Sequence, residues 1–169
     1  MTREHALNIA ERYIKNLSPY CDRIEIAGSL RRGKQVVGDI ELVCIPKRIL
    51  IETDLFQENY VRHPEFVKIV NRYTRVKGNG EGKYTQIIDG DGYVDLFMTT
   101  AEQWGLIFMI RTGSANYSKR IVEEIKSRGY KAEDGYLKNM KGEVIPCYEE
   151  KDFYEITKTT WIEPEARIF

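Results

Sequence analysis

The most restrictive stretch of this sequence is Gly38-Asp39-Ile40-Glu41-Leu42-Val43-Cys44-Ile45, an apolar run into which two carboxylates are set two positions apart. Such a run, rich in β-branched and aliphatic residues, favours an extended strand. A strand places residues i and i+2 on one face, so Asp39 and Glu41 project together while Ile40 and Leu42 turn toward a core. Like charges held that close disfavour joint ionisation unless a cation neutralises them, and this cost points to a metal ion. Asp95 repeats the arrangement between Val94 and Leu96. Antiparallel pairing of the two strands is expected to bring it beside the first pair. Hard oxygen donors of this kind suit Mg²⁺ or Mn²⁺. The three cysteines (Cys21, Cys44, Cys147) lack a CxxC spacing and the two histidines (His5, His63) stand alone, which argues against both a disulfide framework and a zinc site. Acidic residues on half-exposed strands more often simply face solvent, so the trio needs support from elsewhere in the chain.

That support lies upstream. Arg23 to Ala27 alternates as a strand, and Gly28-Ser29 breaks it, presenting backbone N–H groups and a hydroxyl suited to a phosphate oxygen. Nine residues separate Ser29 from Asp39. Arg31, Arg32 and Lys34 in this connection could neutralise a triphosphate, or could be solvated loop cations.

Periodicity supplies the surrounding elements. Ala6, Ala10, Tyr13, Ile14 and Leu17 recur at helical spacing before Ser18-Pro19. Phe66, Ile69, Val70 and Tyr73 predict a helix in the second half of residues 54–73, and strands are expected at 84–88 and 93–98 around a Gly90-Asp91-Gly92 turn. Thr100 with Gln103 reads as a capping box ahead of Trp104 to Ile110. Ser114 caps a further helix in which Tyr117, Ile121, Val122 and Ile125 face inward until Gly129. Short extended pieces punctuated by Asp134-Gly135 and Lys141-Gly142 follow, then a short helix from Glu150. The fold class expected is α+β, with a boundary near Thr100 dividing residues 1–100 from 101–169.

With 169 residues and 42% hydrophobic content the chain can bury one modest core or two small lobes. Its 26 Lys plus Arg balance 26 Asp plus Glu, so no overall basic field draws it to a polyanion and any such site must be local. The longest apolar run, Leu106 to Ile110, is far short of the roughly 20 residues a bilayer crossing needs, and no leader opens the sequence; a soluble, cytoplasmic, monomeric protein is expected.

Taken as a collinear series, Ala27-Gly28-Ser29-Leu30-Arg31-Arg32-Gly33, Gly38-Asp39-Ile40-Glu41, Val94-Asp95-Leu96 and Thr112-Gly113-Ser114 resemble the motifs of family X DNA polymerases, the polymerase beta branch of the nucleotidyltransferase superfamily. The tail Trp161-Ile162-Glu163-Pro164-Glu165-Ala166-Arg167 resembles that family's terminal pattern. The resemblance implies a mixed-sheet nucleotidyltransferase palm followed by a small α+β thumb. It also implies transfer of a nucleotidyl group from a dNTP to a 3′-hydroxyl by a two-metal mechanism with release of pyrophosphate, in short-gap filling or repair. Asp39, Glu41 and Asp95 would be the catalytic residues and the ligands of two Mg²⁺ ions, with Mn²⁺ able to substitute. Asp95 would help take the hydroxyl proton. Gly28, Ser29, Arg32, Gly38, Thr112, Gly113 and Ser114 would bind the nucleoside triphosphate.

The sequence also departs from that family. Glu41 stands where the polymerases usually have Asp, and Ile110-Arg111 stands where they place an aromatic pair beneath the sugar, so sugar selectivity does not carry over. Segments that grip DNA in larger members are missing. Primer-template or gapped DNA would rely on Lys83 with Arg72, Arg75 and Lys77, and on Lys119 and Arg120 with Lys126 and Arg128, although Glu123 and Glu124 also give that helix the character of a solvated face. Two other readings stand beside DNA polymerisation. One is nucleotidyl transfer to an RNA end, a protein or a small molecule; the other is a noncatalytic nucleic-acid-binding module.

Overall fold

The computed structural model describes residues 1–54, 57–90 and 92–168. A five-stranded mixed sheet in the order β1-β2-β7-β6-β5 organises the first part of the chain. Its members are β1 (Cys21–Ile26), β2 (Ile40–Pro46), β5 (Arg75–Gly78), β6 (Tyr84–Asp89) and β7 (Gly92–Met98). Strand alternation decides what each face carries. Ile40, Leu42 and Cys44 of β2, with Val94 and Leu96 of β7, pack in one core with Ala6, Ala10, Tyr13 and Leu17 of α1 (Arg3–Leu17) and Phe66 and Val70 of α3 (Pro64–Arg72). Glu41, Val43, Asp95 and Phe97 occupy the intervening positions and so share the opposite face.

The two acidic strands pair in parallel, not antiparallel as the sequence suggested, with Glu41 opposite Asp95 and Val43 opposite Phe97. The long excursion between them explains the difference. It contains a hairpin of β3 (Arg48–Asp54) and β4 (Gln57–Arg62), then α3, then β5 and β6, and returns β7 along the direction of β2. The parallel register preserves the functional expectation, because partners in register project to the same side of a sheet.

Other expectations met the structure unevenly. The hairpin β3–β4 and the edge strand β5 went unrecognised; β5 has only four residues, three of them exposed, so it carries no apolar alternation to read. Asp91 of the expected Gly90-Asp91-Gly92 turn lies outside the described residues, although β6 ends at Asp89 and β7 begins at Gly92. Thr100 precedes a 3₁₀ turn over Ala101–Gln103 and makes no side-chain cap. Gln103 is diverted instead, accepting from Thr99 Oγ1 at 3.2 Å and donating to the Asp134 carbonyl at 3.1 Å.

α4 (Trp104–Thr112) joins the two parts of the chain and is apolar on nearly every side, as a helix buried on two faces must be. Trp104 and Phe108 cover Val43 and Phe97 on the functional face of the large sheet. Leu106 and Met109 enter a second core with Tyr117, Ile121 and Ile125 of α5 (Ala115–Ser127) and Phe153 of α6 (Glu150–Thr157). A three-stranded sheet of β8 (Tyr130–Glu133), β9 (Tyr136–Asn139) and β10 (Val144–Ile145) adds Leu137 to that core. Ser114 caps α5 as its sequence implies, its Oγ accepting from Tyr117 N at 3.1 Å. Among the described residues no helix is long and apolar enough to cross a membrane.

Candidate active site

The acidic residues gather where β2 and β7 run side by side. Asp39 sits in the bend immediately before β2, one residue short of the strand that its sequence suggests. Asp95 is 8% exposed, and its Oδ1 accepts from Tyr84 Oη at 2.8 Å and Gln86 Nε2 at 2.9 Å. Both donors come from β6, where Gln86 is the register partner of Asp95 and Tyr84 lies two residues before it. The sequence carries a faint signal for this pair, since Tyr84-x-Gln86 alternates in phase with Asp95 across a recognisable hairpin. Oδ1 is thereby fixed, leaving Oδ2 as the oxygen without these protein donors.

Glu41 is the group whose environment speaks most directly about charge. Burial pushes its carboxyl up to about 7, Asp39 and Asp95 pushing the same way and Arg111 and Arg32 pulling it back. Asp39, Glu41 and Asp95 thus share one electrostatic neighbourhood, with guanidinium groups on two sides. Among the described residues no group of three or more His, Cys, Asp or Glu side chains is arranged so that it could hold a metal ion. The donor type nevertheless suits a hard divalent cation: Asp39 and Asp95 add to the cost of ionising Glu41, and a cation would remove that cost.

The Gly28-Ser29 connection meets this cluster directly. The pair opens the one-turn α2 (Gly28–Arg31). Gly28 has φ +60°, and a Cβ there would run into the Glu41 carboxylate, so glycine is required by both conformation and space. Ala27 N donates to the Glu41 carbonyl at 2.8 Å and ties the connection to β2. The Ser29 hydroxyl oxygen is buried without a hydrogen-bond partner. An orphaned hydroxyl one residue after the glycine that abuts Glu41 is a donor an oxyanion would satisfy. By contrast, a Cβ on Gly38 would meet nothing within 4 Å, so the space around it does not demand glycine.

Arg31 and Arg32, adjacent in sequence, do different work. Arg32 Nη1 donates to the Thr112 carbonyl at 2.6 Å, and its Nε is buried without a partner. Burial lowers the Arg32 pKa while Glu41 and Asp39 raise it, which places its cation beside the carboxylates. Arg31 is committed elsewhere: it holds Thr112 Oγ1 at 2.6 Å and forks onto Glu150 at 2.9 and 2.6 Å. Glu150 also receives Arg167 Nη1 at 2.5 Å, and Arg167 is fully buried. This bridge from α2 through α6 to the chain's last described residues was not foreseen.

The structure separates the remaining expected nucleotide contacts. Thr112 is fully buried and occupied by the two arginines. Gly113 terminates α4, and a Cβ there would strike the Tyr117 ring. Ser114 spends its hydroxyl on capping α5. Arg111, one residue before Thr112, lies with its guanidinium carbon 3.9 Å from the Phe97 ring centroid and its Nε buried without a partner. Lys83 stands exposed at the start of β6, while Lys119 and Arg120 are exposed on α5, away from the carboxylates in sequence and element. Trp104, Phe108 and Phe153 are buried, as packing residues should be, and Cys44 is a buried small group in the core.

Residues 108–168 match the family described as DNA polymerase beta thumb. The match begins within α4 and ends at the last described residue, so it covers the second core except Leu106, and the Glu150–Arg167 contact. It does not include the carboxylates. Comparison with curated proteins yields no match.

Proposed function

We propose that this chain is a nucleotidyltransferase of the X polymerase type, joining a nucleotidyl group from a nucleoside triphosphate to the 3′-hydroxyl of a DNA end, with Lys119 and Arg120 of the thumb-like part contacting the DNA. The observation that carries this reading is the register that sets Glu41 opposite Asp95 while Gly28 closes against Glu41 and the hydroxyl of the next residue, Ser29, is buried without a hydrogen-bond partner. The likeness of residues 108–168 to a DNA polymerase thumb supports the same direction.

Asp39, Glu41 and Asp95 would hold Mg²⁺, which supplies neutralisation of the triphosphate and activation of the attacking hydroxyl. The protein groups then have separate tasks. Ser29 and the α2 backbone receive phosphate oxygens, and Arg32, anchored through Thr112, turns its unsatisfied Nε toward negative charge. Tyr84 and Gln86 fix one oxygen of Asp95, so its other oxygen can accept the proton of the attacking hydroxyl. The oxygen of that hydroxyl bonds to the α-phosphorus as the bond to the β-phosphate bridging oxygen breaks, and pyrophosphate departs.

Extension of gapped and recessed DNA with labelled deoxynucleotide and ribonucleotide triphosphates tests the reading. Incorporation that disappears in Asp39→Ala with folding intact supports it. Triphosphate binding without incorporation into any DNA overturns it in favour of another acceptor, an outcome compatible with Glu41 and Arg111 at their positions.

A further inference from the structure

Spacing in the sequence gives no sign that Cys21 and Cys44 belong together; the sheet makes them neighbours. Cys21 is the first residue of β1 and Cys44 lies within β2. The two strands pair antiparallel, with Ile24 opposite Cys44 and Cys21 opposite Pro46, and the register is irregular between Cys21 and Arg23. Strict alternation would turn Cys21, three positions before Ile24, to the other face, and the irregularity returns it to the face of Cys44. Both side chains enter the first core, and the Cys44 thiol is hydrogen-bonded to that of Cys21. We propose that Cys21 and Cys44 are a redox-active pair, which a two-electron oxidant closes into a disulfide stapling β1 to β2 within the folded protein. This goes beyond nucleotidyl transfer and does not depend on it.

The two thiols have different parts in the reaction. Cys44 is fully buried, and burial pushes its thiol well above the ordinary value, with Cys21 adding to the rise and Arg62 opposing it. A thiol held protonated is a poor first nucleophile. Cys21 is 6% exposed and opens β1, an outer strand of the five-stranded sheet, directly after the Ser18–Tyr20 turn. Strand ends at the margin of a sheet open locally at low cost, so Cys21 meets the oxidant first. With a diazene such as diamide, the Cys21 sulfur adds to one nitrogen of the N=N bond and its proton goes to the other. The Cys44 sulfur then attacks that of Cys21, the new S–N bond breaks, and the reagent leaves as a hydrazine carrying two electrons and both thiol protons. Arg62 acts on both sulfurs and donates from Nη1 to Met98 Sδ at 3.5 Å, so its positive charge favours the Cys44 thiolate as it attacks. The closed loop, residues 21–44, contains the Gly28-Ser29 turn, Arg32, Asp39 and Glu41. The bond lies toward the opposite end of the strand pair from the Ala27–Glu41 backbone contact, so it restrains the unfolded chain more than it alters the folded one.

Cys147 is an internal control, being buried in the second core while the pair lies in the first. Folded protein is treated with excess diamide, blocked with iodoacetamide in denaturant, and digested without reduction for mass spectrometry. The expected product has lost two hydrogens, is alkylated at Cys147 alone, and yields one cross-linked peptide pair, Cys21 with Cys44. Dithiothreitol restores three free thiols. The oxidised form melts roughly 5–10 °C above the reduced one. Cys21→Ser, altered at the less buried position, forms no intramolecular disulfide, and Cys147→Ala leaves the link unchanged. Three unreacted thiols in the folded protein overturn the proposal, as does a link through Cys147 or between two chains. A Cys21–Cys44 bond that forms only in urea, or that fails to raise the melting temperature, also overturns it, because the native register then does not accommodate the bond. None of these measurements involves a nucleotide or DNA, so their failure leaves the transferase reading standing and its failure leaves the pair standing.

Discussion

Replacing Glu41 with Gln should make the metal-free protein more stable at alkaline pH, even though it removes a group proposed to be essential. The Glu41 carboxyl titrates near 7 in the folded chain, against an ordinary carboxyl value near 4.5. A carboxyl whose folded pKa is raised binds its proton more tightly when folded. Its stabilising contribution is therefore complete below the unfolded value and is lost as pH rises through 7. A shift of this size corresponds to about 3 kcal/mol, an upper bound because side-chain relaxation and water entry reduce it. For a chain of this length about 3 kcal/mol moves the melting temperature by roughly 6–12 °C. Melting curves in EDTA from pH 4 to 9 test this. Wild type loses stability between pH 5 and 8 relative to Glu41→Gln, and the two converge near pH 4, where a protonated Glu and a Gln are nearly equivalent. Added Mn²⁺ reverses the order at pH 8, because ligand binding to the folded state stabilises the protein with the intact carboxylates more strongly. A constant difference across the pH range refutes the claim that Glu41 is ionised at a cost. Stabilisation by Mn²⁺ that is equal in both proteins refutes its role as a ligand.

Gly28→Ala should destabilise the fold by about 1–3 kcal/mol in chemical denaturation, since the new methyl group meets the Glu41 carboxylate at a left-handed backbone position; a loss below 0.5 kcal/mol contradicts that packing. Glu150→Ala leaves Arg31 and the buried Arg167 facing one another without their shared carboxylate, at a cost of about 3–5 kcal/mol, and a neutral result in urea unfolding means the bridge is not formed in solution. Tyr84→Phe releases Asp95 Oδ1 from one of its two donors and should lower turnover several-fold while triphosphate affinity holds; a rise in nucleotide Kd with constant turnover contradicts the division of labour between Asp95 and the Ser29 flank.

Local chemistry was readable where each residue's position followed from its own strand or turn. Glu41 and Asp95 could be placed because strand alternation is a short-range rule, and Ser114 because capping is decided within four residues, whereas Asp39 falls in the bend one residue before its expected strand. The direction in which β7 would lie beside β2 was not readable, because it depends on how the intervening hairpin and helix return the chain. The same limit hid Tyr84 and Gln86 as donors to Asp95, and it hid the commitment of Arg31 to Glu150 across 119 positions of sequence. A basic residue between Gly28-Ser29 and Gly33 looks equally suited to a ligand or to a distant carboxylate until that carboxylate is located. Gln103 failed as a capping residue for a related reason. Its amide found a better partner in a turn 31 positions later than in its own helix start.

The Arg31–Glu150–Arg167 bridge bears on how freely the parts of this protein can be exchanged. Arg31 stands next to the arginine that faces the carboxylates, while Glu150 and Arg167 fall in the region resembling a polymerase thumb. A chimera that takes residues 101–169 from another chain must therefore bring both an acid and a guanidinium in matching positions, or it strands the Arg31 cation behind the Gly28-Ser29 turn. Recombination near Thr100 would cut through very little secondary structure, yet it would break a contact that no alignment of either half by itself would flag.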